Sequence, residues 1–82
     1  MNVELSPKSS QALSRLNNPA LARILGALDK LREEPPRGDI KALTGSDDFR
    51  VRVGGYRILF RMLGDRIVVL DIGTRGDIYK GR

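Results

Sequence analysis

The sequence predicts an α+β domain over residues 1–82: a short N-terminal strand, a helical hairpin, then a three-stranded antiparallel meander. Three observations point there. Ser6-Pro7 and Asn18-Pro19 are consecutive helix-opening signals, each a capping side chain followed by a proline that needs no N–H. The hydrophobic period changes from helical to two at Phe49. Gly54-Gly55 and Gly64-Asp65 then divide the second half into three runs joined by hairpin turns.

Taken in order, Asn2 to Leu5 alternates as an edge strand does. The first helix is expected from Pro7 to about Leu16, with Ala12, Leu13 and Leu16 on one side, and Asn17-Asn18 interrupts it. In the second helix Leu21, Ile24, Leu25, Leu28 and Leu31 repeat at the spacing of one buried face, and Pro35-Pro36 ends it. The tight turn between them predicts an antiparallel pair. Arg37 to Asp48 reads as a loop anchored by Ile40 and Leu43. Phe49, Val51 and Val53 alternate with Arg50 and Arg52; Tyr56 to Leu63 returns, and Arg66 to Ile72 forms the last strand. Gly73 to Arg82 is a tail.

Composition removes several chemistries. With no cysteine and no histidine, the chain has neither a thiol nucleophile nor a disulfide. It also lacks the usual neutral-pH base and the commonest metal ligand. No metal and no cofactor are therefore expected. No apolar run approaches the ~18 residues of a membrane span, and Met1 to Pro7 has no secretory pattern, so a cytoplasmic location is expected. Charge is more informative. Fifteen basic residues against ten acidic give +5, and eleven of the fifteen are arginine. Between Phe49 and Gly64 there are four arginines and no acid, which suits a polyanionic partner.

A two-residue loop at Gly54-Gly55 pairs Arg52 with Arg57, Arg50 with Leu59 and Asp48 with Arg61. Arg50, Arg52 and Arg57 then share one face, while Phe49, Val51, Val53, Tyr56, Ile58, Phe60 and Met62 take the core side. Two guanidiniums about 5 Å apart repel by about 1–3 kcal/mol, and an anion held between them reverses the sign. The Gly64-Asp65 turn sets Arg57 opposite Ile72 and brings Arg75 to the same end of the sheet. Val68, Leu70 and Ile72 would give that basic rim an apolar floor, and Tyr79 can fold back over it.

Phe49-Arg-Val-Arg-Val-Gly-Gly-Tyr-Arg-Ile-Leu-Phe60, Ile72-Gly-Thr-Arg-Gly-Asp-Ile-Tyr79 and the preceding Lys41-Ala-Leu-Thr-Gly45 resemble the RelE/ParE superfamily of bacterial and archaeal toxins, in its RelE-like branch. The resemblance implies a compact fold akin to microbial ribonucleases and the toxin role in a type II toxin–antitoxin system. It also implies ribosome-dependent cutting of mRNA in the A site, by attack of a 2′-OH on the adjacent phosphate. Carried over by motif, the catalytic set is Arg50, Arg52, Arg57, Arg75 and Tyr79, with Arg61, Lys80 and Arg82 as RNA-binding neighbours. Taken alone, Arg61 is also well placed to pair with Asp48, and Asp71 and Asp77 to pair with nearby arginines. The implied partners are an acidic antitoxin, the ribosome and mRNA.

The chain departs from the family pattern in places. Arginine stands at 50 and 52 where characterised RelE-type enzymes can carry lysine, and arginine cannot exchange protons at working pH. Gly55 and Thr74 replace residues that are often acidic and basic. The sequence ends three residues after Tyr79, so a longer C-terminal helix is not expected. Proton transfer falls to Tyr79, solvent or the ribosome, and activity on free RNA should be weak or absent. The alternatives are a ParE-like inhibitor of DNA gyrase without catalysis of its own, and a basic nucleic-acid-binding module without toxicity.

Overall fold

The chain runs β1 (Asn2–Leu5), α1 (Pro7–Ser14), α2 (Ala20–Leu31), β2 (Asp39–Ala42), β3 (Phe49–Val53), β4 (Tyr56–Leu63), β5 (Arg66–Thr74) and α3 (Arg75–Ile78). These elements come from a computed structural model that describes residues 1–78, the last two by their backbone. The strands form one five-stranded sheet in the order β1-β5-β4-β3-β2. β1 lies parallel to β5, and every other pairing is antiparallel. The expected strand, two helices and meander are all present.

Local chemistry explains the helix starts. Ser6, the N-cap of α1, accepts from the Ser9 N–H through Oγ at 3.1 Å; in α2 the N-cap is Pro19, and Asn18 just before it accepts from the Ala22 N–H through Oδ1 at 3.2 Å. The first helix is shorter than expected: at its close the Arg15 N–H donates to the Ala12 carbonyl and the Leu16 N–H to the Leu13 carbonyl, each at 3.2 Å. α1 packs mainly on β5 and α2 on β3, so each helix is held by the sheet. Ile24, Leu28 and Leu31 of α2 meet Val51, Ile58, Phe60, Ile67, Val69 and Ile72 in one core, against which Ala12, Leu13, Leu16 and Tyr56 pack. Leu25 is left 45% exposed, so the buried stripe is narrower than its spacing suggested. The Phe49 and Phe60 rings stack across β3 and β4 with centroids 5.6 Å apart. No helix among the described residues is long and apolar enough to cross a membrane.

Three expectations are corrected. Residues 39–42 are not loop but an edge strand, β2, paired to β3 from Asp39↔Arg52 to Ala42↔Phe49. Four residues with one inward apolar side chain, Ile40, are too few to show a period of two. Secondly, β5 runs on to Thr74, and the first residues of the expected tail are strand and a short helix. Thirdly, the β4–β5 register follows the Gly64-Asp65 turn only from Leu63↔Arg66 to Phe60↔Val69. It then shifts, with Leu59 opposite Asp71, so that Leu70 is an extra residue in β5. Beyond the bulge Arg57 lies opposite Gly73 rather than Ile72, and Ile72 turns into the core at 4% exposure.

Candidate functional site

The sheet face turned away from the helices carries the basic residues in rows across neighbouring strands. One row runs Asp39, Arg52, Arg57, Gly73 and the next Lys41, Arg50, Leu59, Asp71. Arg52 and Arg57 are direct partners, as the two-residue turn requires. The charge of Arg52 is answered by a carboxylate within the chain. Asp39 Oδ2 accepts from Arg52 Nε at 2.7 Å, and Asp39 Oδ1 lies 3.5 Å from Arg50 Nη1. Arg50 Nη1 also donates to the Asp39 carbonyl at 2.7 Å. Asp39 thus meets Arg50 and Arg52 from the edge-strand side and does not lie between Arg52 and Arg57.

Arg57 is fixed differently. At 9% exposure it is the most buried cation among the described residues, and its Nη1 donates to the carbonyls of Gly54 at 3.2 Å and Tyr56 at 3.0 Å. One nitrogen of the fork is thereby committed to the turn. Gly54 has φ +59, the left-handed region that the hairpin turn needs and that glycine adopts without strain. Arg75 opens α3, and its N–H donates to the Gly55 carbonyl at 3.2 Å, docking it against the turn that holds Arg57. Arg50, Arg52, Arg57 and Arg75 are therefore brought to one end of the sheet.

Arg61 stands apart from them. Its Nε donates to Asp48 Oδ1 at 2.8 Å, and that hydrogen bond, with the charge of Asp48, raises the Arg61 pKa above its ordinary value. The ion pair read from the sequence is present. Tyr79, Lys80 and Arg82 lie outside the described residues. Beneath the arginines the floor is Leu59, fully buried, with half-buried Val68 and Leu70; Ile72 does not contribute. Two depressions lie beside α2: one of about 350 Å³ between α2 and β3, lined in part by Arg23, Lys30 and Arg37, and another of about 350 Å³ at the α1–α2 turn, lined in part by Arg15 and Arg23.

Residues 3–79 match the sequence profile of the family described as the ParE toxin of the type II toxin–antitoxin system parDE. The chain belongs to that family, within the RelE/ParE toxin superfamily. Among solved structures, a chain of the archaeal RelE–RelB complex from Pyrococcus horikoshii OT3 is 30% identical, with TM-score 0.77 over 93% of this chain and 96% of that one. A chain of the RelBE2 complex from Mycobacterium tuberculosis is 23% identical, with TM-score 0.77 over 90% and 96%. The isolated E. coli RelE toxin is 18% identical, with TM-score 0.76 over 95% and 89%. No curated protein is significantly similar in sequence.

Two residues of this toxin's basic face escaped the sequence reading. Asp39, the counter-charge, and Lys41, opposite Arg50, sit on the strand read as loop. The signals the sequence offers are the alternating polarity of Asp39-Ile-Lys-Ala after Gly38 and the Lys41-Ala-Leu-Thr-Gly45 motif, which carries Lys41 but not Asp39.

Proposed function

We propose that this type II toxin inhibits translation by cutting mRNA in the ribosomal A site. The observation that carries the reading is Arg57, nearly buried, with one guanidinium nitrogen tied to two turn carbonyls beside Arg52 and Arg75. A guanidinium held in place before the substrate arrives is what a phosphoryl transition state rewards. In the reaction the 2′-oxygen forms a bond to phosphorus as the P–O5′ bond breaks. The 2′-OH proton is lost and the departing 5′-oxygen is protonated. Charge gathers on the non-bridging oxygens, where Arg57 and Arg75 stabilise it, while Arg50, Arg52 and Lys41 hold flanking phosphates.

The exposure of Arg52, about half in water, supports ribosome dependence, because electrostatic stabilisation weakens in water and a closing partner would restore it. With no histidine in the chain, proton transfer falls to Tyr79, solvent or ribosomal groups. A cognate acidic antitoxin is the natural partner of a +5 chain, in keeping with relatives solved as toxin–antitoxin complexes.

Primer extension on a translated reporter mRNA, with and without ribosomes, tests this. Cuts within A-site codons that need ribosomes are expected. They should fall by about 10²–10³ in Arg57→Ala, the usual loss for one transition-state donor, and fall likewise in Arg75→Ala. Absence of cuts under both conditions overturns the reading. The family description names ParE, so the second reading is a non-catalytic inhibitor of DNA gyrase. It predicts lost supercoiling activity with intact mRNA.

A further inference from the structure

We propose that Ser6, Lys8, Ser9 and Asp71 form a positioning clamp, in which the first turn of α1 holds the β5 bulge and so sets the phase in which Gly73 and Arg75 meet Arg57. The bulge is the only register shift in the β4–β5 ladder among the described residues, and its polar groups find partners outside that ladder. The Val69 carbonyl accepts from the Ser6 N–H at 2.9 Å and from Ser9 Oγ at 2.8 Å. The Leu70 carbonyl accepts from Ser6 Oγ at 3.0 Å. Asp71 Oδ1 accepts from the Ile72 N–H at 2.9 Å, and Lys8 Nζ lies 3.1 Å from Asp71 Oδ2. Ser9 is fully buried and Asp71 is 8% exposed, so this hydrogen bonding is built into the interior rather than acquired at the surface.

The extra residue has a definite consequence. Continuing the register of the Gly64-Asp65 turn through β5 would set Ile72 opposite Arg57 and Arg75 opposite Gly54. A one-residue slip moves the chain by about 3.3 Å and exchanges its two faces. With the bulge, Ile72 enters the core, Gly73 takes the place opposite Arg57 with no side chain to cover it, and the Arg75 N–H reaches the Gly55 carbonyl. The clamp residues act through this phase and touch no substrate. Lys8 is 70% exposed while the Asp71 side chain is 11% exposed, and Asp71 keeps the Ile72 N–H as a partner when Lys8 is removed. Loss of the Lys8–Asp71 pair should therefore disturb position more than folding.

The test uses the full chain in two arms. In the first, amide hydrogen exchange is followed by NMR in wild type, Lys8→Ala, Ser9→Ala and Asp71→Asn. Local opening should speed exchange of the Arg75 N–H by about tenfold while the Ile67 and Val69 amides, below the bulge, keep their protection. Wild-type protection at Arg75 in all three variants overturns the clamp, and so does uniform loss along β5. Lys8→Ala keeps this arm decisive if a buried variant fails to fold. The second arm rests on the nuclease reading and measures single-turnover cutting on programmed ribosomes at saturating toxin. Asp71→Asn should slow cutting by up to about 10²-fold, as misplacement of about 1 Å can, without weakening ribosome binding. It should cause no further loss when combined with Arg75→Ala. Losses that multiply in the double variant overturn the proposal. If wild type and Arg57→Ala behave alike, the nuclease reading fails, and the exchange arm still decides the clamp.

Discussion

Arg52 and Arg57 face each other across β3 and β4, yet their side chains are held by unlike partners: an exposed carboxylate for one, two turn carbonyls for the other. The difference sets what each can do. Arg52 can trade Asp39 for a phosphate, because both groups are about half exposed. Arg57 is held by backbone carbonyls, which need not leave for a phosphate to approach. Asp39→Asn should lower stability by no more than about 1 kcal/mol, the range of exposed pairs. It should also tighten binding to a polyanion, which a heparin-column elution shift would register. Unchanged elution would mean that Asp39 does not compete with phosphate. Arg61 behaves otherwise, since its partner Asp48 is buried at 4% exposure. Arg61→Ala should lower the urea midpoint while leaving cutting largely intact. A group whose folded pKa is raised stabilises fully below its unfolded pKa and loses that contribution only as pH rises through the folded value. For an arginine this lies far above neutrality, so the Arg61 contribution should not vary between about pH 6 and pH 8.

At the scale of elements, capping, period and turn chemistry agree over α1, α2, β3 and β4, and these came out close to expectation. β5 is where they part. Its nine residues carry no glycine or proline before Gly73 to mark an irregularity, and the bulge at Leu70 is imposed by α1. This gives a sharp check on the register. With Ile72 in the core at 4% exposure, Ile72→Ala should cost about 2–5 kcal/mol in urea unfolding, as buried large-to-small changes do. A straight ladder, with Ile72 on the open face, would cost less than about 0.5 kcal/mol. Leu25→Ala, at an exposed position of α2, serves as the mild comparison.

Over the whole molecule, the helices and core lie on one side of the sheet and the paired arginines on the other, which separates stability from chemistry. Core substitutions such as Phe60→Ala should unfold the protein without a selective effect on cutting. Changes on the basic face should do the reverse. The net charge of +5 makes association with a polyanion sensitive to salt through released counterions. Raising salt from about 50 to 200 mM should weaken ribosome binding by about 10³-fold or more if six or more phosphates are engaged, and by less for fewer. A filter-binding series at several salt concentrations reads that slope directly. A flat slope would mean that apolar contacts dominate.

The order of β1, α1, α2, β3, β4 and β5, the β3–β4 register and the shared face of Arg50, Arg52 and Arg57 were legible in the sequence, while β2 and α3 were not. Each legible feature depends on residues within a few positions of one another: a cap and its N–H, a two-residue turn, an alternation. Family membership was legible too, because the motifs keep their order and spacing along the chain. Tertiary structure alone decided that Asp39 lies against Arg50 and Arg52, that Arg57 faces Gly73, and that Ile72 belongs to the core. Those outcomes depend on hydrogen bonds across long stretches of chain, such as Ser9 to Val69, 60 residues apart. A buried carbonyl must find a donor wherever the fold supplies one, and no local pattern records which distant serine will provide it.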